Sequence, residues 1–293
     1  YWSTQIESLC VPKPRNILGS PTSGIGILSE IPTTPGTSGA SGGSSDGLSK
    51  SKSQCATDPN DNFGRLVSDS TQVPSPWNKK YTATQNKNII YTLFRIAGFT
   101  EVQTAVALAN AQAESNFNNL ANGDSCQSYG LFQTHTTKGV AIEALRGKYQ
   151  NSLLANIDTR YAFFNPYVNA LVILDQAFRV NLKKDLDIAS ATITFVDRIE
   201  RPNDRAGEKK KRSTYALNYT NYVVSFADAT SVLTDLSQIK FTVSGGSTLS
   251  GTQILSQLIY HWGITLHSRD IVVRDADKKS INALRKTHLP QLP

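Results

Sequence analysis

The sequence predicts a mainly α-helical domain over residues 80–229, preceded by an extended segment over 1–79 and followed by a small α/β module over 230–293. Three observations carry that prediction. Between Lys80 and Asp228 apolar residues recur at three- and four-residue steps, the period of a helix with one buried face. From Gly19 to Ser53 the chain is dominated by Ser, Gly, Thr and Pro, too poor in apolar surface to fold alone. After Thr230 short strand-like runs alternate with helical periods.

The N-terminal segment reads as a tether. Ile25, Ile27, Leu28 and Ile31 punctuate it, so parts are expected to lie extended along a partner, and Tyr1 to Cys10 reads as the tail of a preceding module. The first helix is expected over Asn86 to Ala97, with Ile89, Ile90, Leu93, Phe94 and Ile96 on one face and a stop at Gly98. Thr100-Glu101-Val102-Gln103 is a capping box. It opens a second, Ala-rich helix whose Val102, Val106, Ala109, Ala113 and Phe117 turn inward. Further helices are expected over Val140 to Ala155, over Tyr167 to Val180 behind an Asn165 cap and Pro166, and over Ile188 to Ile199. Pro202 halts the last of these at Glu200. A long helix from Glu208 to Asp228 places Tyr215, Tyr219, Tyr222 and Phe226 on one stripe, which reads as core packing with one or two tyrosines at a cleft edge. Beyond it come a strand and turn at Phe241 to Gly246, a helix over Gln253 to Trp262, a strand over Asp270 to Arg274 and a helix over Asp277 to Lys286. These are read as an attachment module, and Leu289 to Pro293 as a linker or processing end.

Composition narrows the class. The chain has no run of 18 apolar residues and no basic-apolar-small leader, so neither a membrane span nor a signal peptide is expected. It begins at Tyr1 and has no Met, and is read as a piece of a longer polypeptide. Of the net charge of +7, the stretch Thr71 to Asp228 supplies 18 − 13 = +5. That balance suits anionic cell-wall polymers and equally nucleic acid or acidic lipid. No nucleic-acid motif accompanies it, and Lys209-Lys210-Lys211-Arg212 reads as a solvated helix start. Cys10, Cys55 and Cys126 form no CxxC and stand at no metal spacing from His135, His261, His267 or His288. No metal or cofactor is expected. A Cys55–Cys126 bridge stays open, as does a Cys-His peptidase built on Cys126 and His135, although nothing in the sequence activates that thiol.

The residues that suggest chemistry lie between Ala105 and Gln133. Glu114 falls near the C-terminal end of the second helix, where the helix dipole and partial burial both push a carboxyl's pKa upward. A proton-carrying Glu is what attack on a glycosidic oxygen requires. Glu114-Ser115, a polar loop, and Ser128-Tyr129-Gly130-Leu131-Phe132-Gln133 together resemble the lysozyme-like superfamily of goose-type lysozymes and soluble lytic transglycosylases. Phe195 to Pro202, containing Glu200-Arg201-Pro202, followed by Arg212-Ser213-Thr214-Tyr215-Ala216, resembles the signature of bacteriophage tail lysozymes. The resemblance covers roughly Lys80 to Asp228, and departs from many members in having Thr134-His135 where they carry a Trp.

That resemblance implies a lysozyme-like helical fold and a virion tail-associated hydrolase. Such an enzyme cuts the β-1,4 bond between N-acetylmuramic acid and N-acetylglucosamine, by hydrolysis or by transglycosylation. Glu114 becomes the general acid, and Ser115 a side chain that fixes it or contacts glycan. Gly130, Leu131 and Gln133 form the cleft floor, with Gly130 admitting backbone close to a sugar and Gln133 meeting an acetamido group. Ser128 and Tyr215 join the glycan-binding set. Glu200 is either a second carboxylate that positions water or the centre of a buried ion pair with Arg201 and Arg212, and Asp124 is a lower-ranked candidate. The implied partners are peptidoglycan strands and other tail or baseplate proteins, with a homo-oligomer in the assembly left open. The alternative is a structural tail or baseplate component that keeps a glycan-binding scaffold without activity.

Overall fold

In a computed structural model of the protein, which describes residues 79–123, 128–135, 162–242, 248–266 and 275–290, the two central helices open with the same device. Helix α1 (Ala83–Ile96) starts where the Thr82 hydroxyl accepts the Gln85 amide and the Gln85 side chain accepts the Thr82 amide. Helix α2 (Glu101–Ser115) repeats this with Thr100 and Gln103. Both capping boxes satisfy amides that a helix start leaves unpaired. The whole stretch Gln103 to Ala111 of α2 is buried. Its small side chains let neighbouring helices close in, so α2 is the central rod of the domain.

A small antiparallel sheet follows α2, with β1 (Asn122–Gly123), β2 (Ser128–Tyr129) and β3 (Thr134–His135) in that order. Asn165 then caps α3 (Pro166–Arg179), accepting the Tyr167 and Val168 amides. A short 3-10 turn (Leu182–Lys184) leads to α4 (Ile188–Phe195), which loosens into a π turn over Val196–Glu200. Helix α5 (Arg205–Leu217) packs along α2. Aromatic side chains fill the core between these elements, as in the Phe94–Phe99 and Phe99–Phe178 contacts with ring centres 5.1 and 4.9 Å apart.

The expected long helix from Glu208 to Asp228 is broken. Helix α5 stops at Leu217, and α6 (Phe226–Gln238) starts afresh at Ser225, whose hydroxyl accepts the Asp228 amide. The tyrosine stripe therefore does not lie on one helix. Tyr219 and Tyr222 sit in the intervening turn, where Phe117, Tyr219, Tyr222 and Tyr91 meet edge to face in sequence, while Phe226 is exposed.

Helix α6 also runs through the compositional boundary at 229/230. A hairpin of β4 (Lys240–Thr242) and β5 (Thr248–Ser250) follows, then α7 (Gly251–Leu266) and α8 (Asp275–His288). These elements share the domain's core: Leu233, Phe241, Ile254 and Leu258 are buried in one cluster with Phe94 and Phe178. The Trp262 indole donates to Asp175 at 2.8 Å and stacks on Phe178, and Arg285 donates to the Ile96 carbonyl at 2.7 Å. All described residues belong to one compact unit within 46–293. The expected helix over 140–155 and strand over 270–274, with Asp124 and the three cysteines, lie outside the described residues. Among the described residues no helix is long and apolar enough to cross a membrane.

Candidate active site

Helix α2 ends abruptly just past Glu114, and the ending explains what the carboxyl meets. Asn116 and Phe117 both take left-handed backbone, with φ of 49° and 59°. Asn tolerates that region, whereas for a bulky Phe it stores strain. The turn is held because Phe117 is buried and its carbonyl accepts the Asn86 side chain at 2.8 Å. The last helical turn thereby presents Asn110 and Glu114, four residues apart and so on one face, to the neighbouring helix α5.

Arg212 meets them from α5. Its Nη1 donates to Asn110 Oδ1 at 2.5 Å, its Nη2 donates to Glu114 Oε1, and its Nε donates to Glu208 Oε2 at 2.8 Å. The Arg212 side chain is 3% exposed, against 20% for Glu114 and 23% for Glu208. Enclosure alone disfavours the guanidinium charge, but Glu114, Glu200 and Glu208 outweigh it and raise the Arg212 pKa. Enclosure likewise works against ionised Glu208, yet its bonds to Arg212 and Lys211 hold it below the usual carboxylate range. A guanidinium fork of this kind fixes direction as well as charge.

Glu200 approaches from the π turn. Arg201, left-handed at φ 57°, closes that turn by donating its amide to Val196 at 2.8 Å. Glu200 is half-buried as a residue, and its Oε1 is enclosed and has no hydrogen-bond partner. Enclosure, reinforced by the nearby Glu114 charge and only partly opposed by Arg212, pushes the Glu200 carboxyl well above its ordinary range. Of the two alternatives for Glu200, an ion pair with Arg201 and Arg212 is not found among the described residues: Arg201 Nε donates instead to the Arg198 carbonyl, and the three donors of Arg212 named above go elsewhere. The carboxyl raised by enclosure is thus Glu200, while Glu114 sits in an ion pair that the dipole argument did not include.

The Ser128–Gln133 turn is held from beneath. The Ser115 hydroxyl is committed to the Leu131 carbonyl at 2.8 Å and the Ala111 carbonyl at 3.1 Å, so it ties the end of α2 to the turn. Ser128 and Leu131 are buried, and Gln133, at φ 45°, donates back to the Gly130 carbonyl at 2.9 Å. Gly130 has φ 78°, and the space a side chain would need is filled by the Phe163 carbonyl and Asn169 rather than left open for sugar. Asn169 is fully buried and organises the turn: its Oδ1 accepts the Phe132 amide at 3.0 Å and its Nδ2 faces the Tyr129 carbonyl at 3.0 Å. Tyr215 is half-buried on α5, three residues beyond Arg212, and packs against the core.

Sequence reasoning missed Asn110 and Asn169. Asn inside a helix is poorly suited to that conformation, and both positions carried that signal. A cavity of about 310 Å³ lined by Tyr91, Arg95, Val223, Phe226 and Leu284 among others includes none of the Glu114 cluster, so it is a separate feature.

Against known proteins, residues 85–223 match the family model described as phage tail lysozyme. No curated protein and no solved structure gives a match.

Proposed function

The chain is a phage tail lysozyme-like protein over residues 85–223, and from that premise we propose that it is a tail-associated enzyme cleaving the β-1,4 bond between N-acetylmuramic acid and N-acetylglucosamine. Glu114 is the general acid. It is the more accessible of the two facing carboxyls, while Glu200 keeps an oxygen enclosed and unpartnered. Two such groups beside one guanidinium titrate as a pair, and enclosure pushes the Glu200 member of it upward. In its protonated form Glu114 gives its proton to the glycosidic oxygen, which leaves with the electrons of the broken C–O bond. Water then adds to the sugar carbon and returns a proton to the pair, or the muramic acid 6-hydroxyl closes on that carbon and does the same. Both routes fit a single exposed acid.

The observation that supports this reading most is the Glu114–Arg212 pair beside the enclosed Glu200, all within the matched residues. The enzyme acts from the tail tip or baseplate on the wall facing the periplasm.

Digestion of purified peptidoglycan by this chain and by Glu114→Gln, with muropeptides read by mass spectrometry, tests the proposal. Reducing-end or anhydro-muramic products that vanish in the variant support it and decide between the two routes. A folded protein that releases no glycan fragment leaves a non-catalytic tail scaffold, and cleavage in the peptide stem moves attention to Cys126.

A further inference from the structure

We infer that Asn110 is a positioning residue: it takes the Nη1 edge of Arg212, so that Nη2 faces Glu114 and the enclosed Oε1 of Glu200 is left without a donor. A guanidinium has five N–H groups in a rigid plane. Its orientation is fixed once two edges are held. Glu208 holds Nε at 2.8 Å and Asn110 holds Nη1 at 2.5 Å. The Asn110 amide is itself oriented, because its Nδ2 donates to the Val106 carbonyl at 2.8 Å and this turns Oδ1 toward the arginine.

The choice of an amide has a chemical consequence. A neutral oxygen occupies a donor edge without cancelling charge, so the guanidinium's field stays available to Glu114. An Asp at 110 would add an anion to a cluster that already contains Glu114, Glu200 and Glu208. An apolar residue would free Nη1, and Glu200, whose charge the guanidinium already feels, has an enclosed Oε1 without a hydrogen-bond partner. Asn110 therefore keeps the two carboxyls unequal: one bonded to the guanidinium, the other with an enclosed oxygen that has no donor. The charged groups around them are Glu114 on α2, Glu200 on the π turn, and Glu208, Lys211 and Arg212 on α5, with the Asp197–Lys209 pair spanning the π turn and α5 at 2.7 Å.

This deepens the proposed function, on which its effect on turnover rests, but its test needs no activity. In protein labelled at the glutamate carboxyls with ¹³C, and assigned through Glu114→Gln and Glu200→Gln, the titration of Glu200 is followed in wild type and in Asn110→Ala. The helix around position 110 is Ala-rich, which suits that substitution. The expected result is a Glu200 midpoint lower by about one pH unit or more in the variant, because Nη1 turns to it. A Glu200 midpoint unmoved in folded variant overturns the inference. A second measurement needs no variant: the Arg212 Nη1 and Nη2 signals of the wild-type protein should be resolved in ¹⁵N spectra, as for a guanidinium held at both ends. A single rotationally averaged signal overturns it too. If the chain also cuts glycan, Asn110→Ala should lower kcat about tenfold with KM unchanged and shift the acid limb of the pH profile with Glu200. A normal titration difference without any glycan cleavage would sink the proposed function and leave this inference standing.

Discussion

Replacing Asn169 by Leu removes the hub of the Ser128–Gln133 turn while keeping its volume. The Phe132 amide loses its partner, and Phe132 is fully buried. Water cannot reach it as replacement. An orphaned buried group costs about 1–3 kcal/mol, so the loss is about 2 kcal/mol. The Tyr129 carbonyl, the Thr134 hydroxyl and the Phe163 carbonyl, at 3.0, 3.2 and 3.3 Å from the Asn169 Nδ2, add little because a single amide shares two hydrogens among three acceptors. For a chain of this size about 2 kcal/mol lowers the melting temperature by roughly 4–8 °C. Thermal unfolding followed by circular dichroism measures it, and amide exchange at Phe132 should accelerate in parallel. A melting temperature within about 3 °C of wild type, with Phe132 still protected, would refute the claim that Asn169 holds the turn.

Other outcomes follow from the same structure. Gly130→Ala, which forces a side chain into left-handed backbone against Phe163 and Asn169, should destabilise by more than the ~1 kcal/mol of backbone strain alone, measured by denaturant unfolding. Thr100→Ala removes one capping box and should cost about 1 kcal/mol by the same measurement. Lys183 is held down to about 8 by burial, with Arg285 adding to it. In the unfolded chain that amine keeps its proton to higher pH, so between about 8 and its ordinary 10.5 the unfolded state binds more protons and stability rises with pH; the rise should be missing in Lys183→Met. Glu200 works the opposite way. Its raised folded-state value means that the unfolded state loses the proton first as pH climbs above 4.5, so stability falls with pH there, and Glu200→Gln should gain on wild type as pH increases.

Much of the frame was legible because local chemistry decided it. The Thr100–Gln103 box and the Asn165-Pro166 start are complete within a few residues, and each sits at the expected place. The break between α5 and α6 was also written locally, in Ser225 and Asp228, but tyrosines at helical spacing argued the other way. Those tyrosines pack through a turn, where spacing and direction no longer correspond. The C-terminal boundary failed for a related reason: composition changes at Thr230, whereas burial does not, since Leu233, Leu236 and Trp262 join the same core.

At the site, Glu114 and Glu200 were visible as carboxyls at helix ends, and Arg212 as part of a motif. Which carboxyl would be ion-paired was not visible. That depends on Arg212 crossing from α5 to α2, a contact between residues 98 positions apart. The commitment of Ser115 to Leu131 and the filled space at Gly130 are likewise long-range facts. They shift the glycine's role from admitting sugar to admitting its own core.

In the proposed mechanism Glu114 delivers the proton and Glu200 tunes it. The most direct measurement is the rate of peptidoglycan solubilisation across pH for wild type, Glu114→Gln and Glu200→Gln, each checked for folding. Glu114→Gln should lose about a thousandfold or more at every pH, as expected when the acid of a glycosidase is removed, while Glu200→Gln keeps measurable activity with a displaced optimum. Glu114→Gln within tenfold of wild type, alongside an inactive Glu200→Gln, would contradict it and exchange the two roles.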